Sequence, residues 1–394
     1  MTFLPYGRHT IDEDDIDAVV DVLRNGLLTS GPKAAEFERL FAKKVGAAEA
    51  CVCSNGTTAL HLACLVAGLG PGDLAIVPTV TFLSTANAVR MTGADVIFAD
   101  VDADTGLLTP QTLLHAYQKA NKPVKAVLPV HLNGQCCDAE AVYEIARANG
   151  SQIISDCCHA LGAEYKTGGW PGDGQYEDFA CFSLHPVKSI AMGEGGVVTT
   201  NSSQFAIQLR NLRGHDMRRA AEDWQHSNLA FDSDGAENPW YYEMQELGFN
   251  YRATDLQCAL GISQLGKLGA FVKRRREIAD RYDALVQKLG NRLVPVKRTE
   301  TANSAWHLYP VLIDFEALGK TRASVMAELR DRGVGTQVHY IPVSSQPYYV
   351  ELYGGQTFAG AERYYSCALS LPIFPTMTDN DVDFVVKSLE EVLS

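Results

Sequence analysis

The chain has 394 residues, 46% of them hydrophobic and 21% charged, enough apolar material for two or three domains with full cores. Its 34 Lys and Arg against 47 Asp and Glu leave a formal net charge of −13. That balance excludes nonspecific binding to nucleic acid or to an anionic membrane surface, and it requires any anionic substrate to be held by local donors against the overall field.

In chain order, Met1 to Thr10 shows no basic region followed by an apolar stretch, so no signal peptide is expected. No apolar run approaches the ~20 residues of a membrane helix. The chain reads as cytoplasmic. Ile16, Val19, Val20, Leu23 and Leu27 recur at helical spacing. Cys51–Cys53 reads as a strand, Thr57–Gly68 as a helix, Ala75–Val77 as a strand, Ser84–Met91 as a helix and Asp95–Ala99 as a strand. Thr109-Pro110 is a helix start, with a capping hydroxyl and a proline at the first position. Lys125–Val130, Gln152–Ser155, Phe179–Phe182 and Val197–Thr200 supply further strands. Short apolar strands separated by helices imply crossover connections, and therefore an α/β fold whose mostly parallel sheet is covered on both faces.

Residues 166–178 form a polar, glycine-rich loop or hairpin, and residues 216–246 a long stretch of weak periodicity with Trp224, Trp240, Tyr241 and Tyr242. A loop of that length belongs near a pocket or a subunit contact. A long helix is predicted from about Ala253 to Leu289, followed by a strand His307–Ile313, a helix Arg322–Arg332, a strand Gly335–Tyr340 and a closing helix that places Val382, Val385, Val386, Leu389 and Val392 on one face. The organisation is a large domain over residues 1–250 and a smaller C-terminal α/β domain over 251–394. The ten cysteines include adjacent pairs, Cys136–Cys137 and Cys157–Cys158, but no zinc spacing, so buried reduced thiols and no metal site are expected.

Four segments fall where strands end, the edge at which open parallel sheets bind ligands. Ser54–Leu60 follows a strand and opens a helix. Its hydroxyls, its N–H groups and the close approach allowed by Gly56 suit a phosphate, although the same residues also make an ordinary helix cap. Asp156 ends an apolar strand, where a carboxylate needs a cationic partner such as a protonated pyridine nitrogen, unless it simply initiates a turn. His159 follows it, as a ligand neighbour or a hydrogen-bonded core histidine. Lys188 sits in an apolar, glycine-flanked turn. Burial there would depress its pKa and favour the free amine that forms a Schiff base, whereas exposure would make it a plain surface lysine. Gly193-Glu-Gly-Gly196 precedes a strand and so is in the wrong context for a nucleotide fingerprint. Gly248–Gly261 is a polar turn feeding the long helix.

The order and spacing of these segments resemble the fold-type I aminotransferases that use pyridoxal 5′-phosphate (PLP), and within them the DegT/DnrJ sugar-nucleotide aminotransferases. The likeness spans nearly the whole chain. It is carried by Leu28–Gly31 with Phe37-Glu38, Ser54–Leu60, Thr81–Ala88, Asp156 with His159–Ala163, Ser183 with Lys188, Glu194–Gly196, Arg213–His215, Asn250–Arg252 and Gln337–Tyr340.

That resemblance implies a large domain with a mostly parallel sheet plus a smaller C-terminal domain, and a ping-pong transamination that cycles PLP and its amino form, PMP. By similarity, Lys188 would anchor PLP and shuttle the proton, and Asp156 would pair with the pyridinium nitrogen. Phe82 would lie against the ring with His159 as a second neighbour. Thr57, Thr58 and Ser183 would donate to the phosphate, and Asn250 would reach the phosphate of a neighbouring subunit, so that a homodimer shares its sites. Lysine at 188, where some relatives carry histidine and dehydrate, points to transamination. The segments Leu4–Gly7, His159–Gly162, His307–Pro310 and Val338–Tyr340 resemble the pseudaminic-acid branch, whose members aminate UDP-2-acetamido-2,6-dideoxy-4-keto-hexose, with glutamate as the expected donor. Tyr6 and Tyr340 are candidates to touch the sugar. Arg252 would meet the diphosphate, with Lys33, Arg218 and Arg219 behind it. The alternatives are another keto sugar nucleotide (3-keto, or dTDP- or GDP-linked), a lyase, or a non-catalytic regulatory protein of the same fold.

Overall fold

The computed structural model describes residues 3–290 and 292–394. A seven-stranded sheet forms the centre: β1 (Glu49–Cys53), β2 (Leu74–Pro78), β3 (Asp95–Ala99), β4 (Ala126–Val127), β5 (Gln152–Asp156), β6 (Phe179–Ser183) and β7 (Gly196–Thr200), in the order β1-β7-β6-β5-β4-β2-β3. Only β7 runs against the others, pairing antiparallel with both β6 and β1. The sheet is therefore mostly parallel, as the alternation of elements predicts. Its strands are buried almost throughout, because helices cover both faces.

Eight helices precede or flank these strands or follow them: α1 (Glu13–Asn25), α2 (Lys33–Val45), α3 (Gly56–Val66), α4 (Leu83–Met91), α5 (Pro110–Lys119), α6 (Ala139–Ala148), α7 (Ser203–Arg213) and α8 (Asp255–Val286). α3 is buried from Thr58 to Cys64, so its sequence of Ala, Leu, His and Cys needs no polar stripe. α8 starts at a Thr254–Gln257 capping box, packs its first half on α1 and α2, and reaches the C-terminal unit through Tyr282, whose hydroxyl donates to the Pro372 carbonyl at 2.9 Å. That unit has a three-stranded antiparallel sheet with Tyr309–Ile313 between Leu293–Pro295 and Ala368–Leu371. The last helix, Asp379–Leu393, buries all five of its aligned Val and Leu residues. No helix among the described residues is long and apolar enough to cross a membrane.

Three local expectations are corrected. Lys125–Val130 is a strand only over Ala126–Val127, because Pro129 has no N–H to continue the ladder and pairing resumes only at a single bridge between Val130 and Asp156. Gly335–Tyr340 is not a strand: Gln337 exchanges one pair of backbone hydrogen bonds with Ser370, after which the chain leaves the sheet. α1 turns Asp15 and Val22 inward and leaves Ile16 and Leu23 46% and 58% exposed, so its apolar spacing does not mark a face buried within this chain. The ten cysteines are free thiols, all buried except the partly exposed Cys158.

Candidate active site

The C-terminal ends of the parallel strands open on a cavity of about 590 Å³, within the range of small-molecule sites. The turn after β1 contributes Asn55, Gly56 and Thr57, and the link from β2 to α4 contributes Thr81 and Phe82. Asp156, Cys158 and His159 come from the end of β5, Ser183 and Lys188 from β6 and the turn beyond it. Tyr6 arrives from the N-terminal segment, and His339 and Tyr340 from the chain that leaves the small sheet.

At the head of α3, Asn55 caps the helix by accepting the Thr58 N–H at 2.9 Å. The first N–H groups, those of Gly56 and Thr57, therefore have no intrahelical acceptor beside the cavity. A side chain at 56 would bring a Cβ to 2.8 Å from Ser183 Cβ and 3.3 Å from Cys158 Sγ, so glycine is what lets the helix end approach β6. Gly196 answers the question raised by the glycine-rich run before β7: a Cβ there would lie 2.1 Å from the Asn55 carbonyl oxygen. Its role is close packing behind the cap.

Asp156 is 5% exposed. Thr85 donates its hydroxyl to Oδ2 at 2.7 Å, and the Cys158 N–H donates to Oδ1 at 3.1 Å. Since Thr85 spends its one hydrogen there, Thr81, 2.8 Å away, must be the donor in their shared contact. Across the same cavity, burial pushes the Lys188 amine below the ordinary lysine value, against the opposing pull of Cys158 and Asp156. The pocket thus holds a lysine biased toward its free amine and a carboxylate that is hydrogen-bonded but has no cation in salt-bridge contact among the described residues.

Burial pushes the His159 imidazole well below the ordinary histidine value and holds it neutral. The Asn133 N–H donates to its Nδ1 at 3.3 Å, which places the ring proton on Nε2. Nε2 then donates to the Tyr340 hydroxyl, also at 3.3 Å, leaving the phenol hydrogen for an acceptor in the cavity. His307 packs behind, its ring centroid 4.4 Å from that of His159.

Of the residues singled out from sequence, Tyr6, Thr57, Phe82, Asp156, His159, Ser183, Lys188 and Tyr340 line this cavity. Thr58 does not, because its hydroxyl accepts from Asn55 N–H and donates to Asn55 O, which commits it to the cap. Asn250 and Arg252 are exposed and outside the cavity within one chain. Lys33 pairs with Glu36 at 2.9 Å, Arg218 with Asp216 at 3.1 Å, and Arg219 lies over the Tyr242 ring. Among the described residues, none of 216–246 lines the cavity; the segment makes its own contacts, with Trp224 against Tyr241 and Phe231. Sequence reasoning missed Thr85, Ser84 and His307. The first two lie inside Thr81–Ala88, where the hydroxyls of Thr81, Ser84 and Thr85 gathered about the first turn of α4 were the available signal. His307 was marked only through the likeness of His307–Pro310, which gave it no place in the site; its approach to His159 is purely tertiary.

The residues present fit the cofactor that the resemblance implies. A buried carboxylate without a counter-cation suits a protonated ring nitrogen, two uncommitted helix N–H groups with Thr57 and Ser183 beside them suit a phosphate, and a buried amine suits an aldehyde.

Comparison with known proteins agrees with this geometry. Residues 9–390 match the DegT/DnrJ/EryC1/StrS aminotransferase family. The spore coat polysaccharide biosynthesis protein SpsC of Bacillus subtilis is 38% identical over 394 residues, covering 99% of this chain and 97% of SpsC. Among solved structures, Helicobacter pylori PseC, an aminotransferase involved in the biosynthesis of pseudoaminic acid, is 26% identical with a TM-score of 0.88 and covers 100% of this chain and 99% of its own. The PMP-form of the sugar aminotransferase Spr1654 from Streptococcus pneumoniae is 28% identical with a TM-score of 0.87, covering 99% of both chains.

Proposed function

The chain belongs to the DegT/DnrJ/EryC1/StrS aminotransferase family and is a PLP-dependent sugar aminotransferase; within that activity we propose that it moves an amino group from glutamate to the 4-keto carbon of UDP-2-acetamido-2,6-dideoxy-4-keto-hexose. The observation that carries this reading is the meeting of Lys188, Asp156 and the head of α3 in one cavity, walled on the substrate side by Tyr6, His339 and Tyr340. The likeness over the full chain to PseC, an aminotransferase involved in the biosynthesis of pseudoaminic acid, supports the pseudaminic-acid branch, for which a 4-keto acceptor is the expectation.

When bound, PLP supplies an electron sink and a carrier for the nitrogen. Lys188 would hold the cofactor covalently and, as a free amine, take a proton from the donor's α-carbon and return one to the sugar carbon. Asp156 would keep the ring nitrogen protonated, its own charge steadied by the hydroxyl chain from Thr81 through Thr85. Thr57, Ser183 and the α3 N–H groups would bind the phosphate, and Phe82 would lie against the ring. The Tyr340 phenol, oriented by His159, would donate to an oxygen of the sugar or cofactor.

A homodimer completes the proposal. Ile16, Leu23, Leu27 and Leu28 near the N-terminus and Met244 and Leu247 near Asn250 are exposed apolar residues that one chain leaves uncovered. Asn250 and Arg252, exposed beside them in sequence, would then serve the phosphate and the diphosphate of the partner's site.

The higher identity to SpsC favours a second reading, amination of a different keto sugar destined for a surface polysaccharide. Incubating the purified protein with glutamate and a panel of UDP-, dTDP- and GDP-linked 3-keto and 4-keto sugars, read by product mass, separates the two. Product from the UDP-linked 4-keto sugar is the expected result; product only from a 3-keto or a dTDP- or GDP-linked sugar overturns the assignment.

A further inference from the structure

α3 and α4 pack against each other with their heads on the large cavity. Thr57 is the second residue of α3 and Ser84 the second of α4, and their hydroxyl oxygens stand 2.8 Å apart, within hydrogen-bond distance. Both residues line the cavity.

A serine near the start of a helix commonly turns back to cap it. At α4 the capping position is Phe82, whose side chain offers no acceptor, and Ser84 lies one turn-position inside, so its hydroxyl is free for a neighbour. The hydroxyls next in sequence are already spent, Thr58 on the Asn55 carbonyl at 2.8 Å and Thr85 on Asp156 at 2.7 Å. Thr57 and Ser84 share theirs with each other and with no further group among the described residues.

Two hydroxyls in contact carry two hydrogens, and one of these fills the bond between the oxygens. The other is left to donate outward. Thr57 stands beside the uncommitted N–H groups at the head of α3, so the outward hydrogen belongs to it: Ser84 donates to Thr57 Oγ1, and Thr57 donates into the cavity. Accepting that bond makes Thr57 the stronger donor, because each hydrogen bond in a chain polarises the next. We propose that Ser84 is a positioning residue of the phosphate site, fixing the Thr57 hydroxyl as a donor to the cofactor phosphate. The proposal rests on the reading that Thr57 binds that phosphate. It matters most for PMP, which Lys188 cannot hold covalently because an amine has replaced the aldehyde.

Calorimetric titration of the full-length apo-protein with PMP, and with pyridoxamine, which has the same ring and amine but no phosphate, tests it. Ser84→Ala should weaken PMP binding about 3- to 10-fold, the loss of one neutral hydrogen bond, and leave pyridoxamine affinity and the apo-protein melting temperature unchanged. Ser84→Thr restores the hydroxyl and should return PMP affinity to the wild-type value. Thr57→Val should also weaken PMP, and adding Ser84→Ala to it should cost nothing more, because Ser84 acts through Thr57. Unchanged PMP affinity in Ser84→Ala, equal losses for PMP and pyridoxamine, or full additivity in the double variant overturns the role of Ser84 alone. No loss in Thr57→Val overturns the phosphate reading itself, and the role of Ser84 with it.

Discussion

The replacement Gly56→Ala isolates the contribution of the cradle at the head of α3. The backbone at 56 lies outside the left-handed region, so the added methyl acts by bulk alone. It would stand 2.8 Å from Ser183 Cβ, where carbon atoms settle at roughly 3.5–4.0 Å, so the helix end and β6 must part by about 0.7 Å or more. Overpacking of this kind costs about 1–3 kcal/mol, offset by about 0.5–1 kcal/mol from replacing glycine at a helical position. The fold therefore survives with a small loss. The phosphate site does not survive as well, because the N–H groups of Gly56 and Thr57 and the Ser183 hydroxyl move apart. Charge-assisted hydrogen bonds contribute about 1.5–3 kcal/mol each, so loosening one weakens PLP binding about 10- to 100-fold. Titrating apo-enzyme with PLP by absorbance, alongside the melting temperature of the apo-protein, reads the two effects separately. PLP affinity within twofold of the wild type would show that the head of α3 is not the phosphate site.

Lys188→Ala should lower transfer at least about 10³-fold and abolish the cofactor absorbance that borohydride fixes to the chain; persistence of that covalent label would place the anchor elsewhere. Tyr340→Phe removes the hydroxyl that His159 meets at 3.3 Å and should lower kcat/KM roughly 2- to 10-fold with little change in melting temperature, an unchanged kcat/KM counting against its orientation toward the substrate. Glu177, 5% exposed, has its carboxyl pushed up to about 7 by burial, against the N–H groups of Gly172 and Gly174. The folded protein keeps a proton that the unfolded chain releases near 4.5, so this group's stabilising contribution is full below that pH and falls by about 1.4 kcal/mol per unit until about pH 7. Glu177→Gln should therefore denature at higher urea than the wild type at pH 8, with the gap narrowing at pH 5; a gap that widens on acidification contradicts the sign.

Much of the fold was legible because the signals were local. The hydroxyl and proline at Thr109-Pro110 start α5 where a capped helix should begin, and the closing helix buries the residues its spacing aligned. The same holds for the site's principal groups: Asp156 at the end of a strand and Lys188 in the turn after another had to share the sheet edge once the strands were parallel and adjacent. Pro129 could have shortened its strand on inspection, since the missing N–H is written in the residue.

Other features depended on partners distant in the chain, and no local pattern encodes them. α1 was expected to show an apolar face, yet what it buries is set by α8, where Lys267 and Gln264 receive Asp15. The reversed direction of β7, the exit of Gln337–Tyr340 from the sheet after one bridge, and the commitment of the Thr58 hydroxyl to its cap were likewise decided by neighbours. The sequence by itself determined which side chains were chemically equipped for the reaction and at which strand ends they stood, because composition and spacing fix these before folding. Only the tertiary structure decided the lowered basicity of Lys188, the tautomer of His159 and the burial of Arg275 among three carbonyls, because each is a matter of solvent removed and donors aimed by segments as far apart as Asn133 and Ile373.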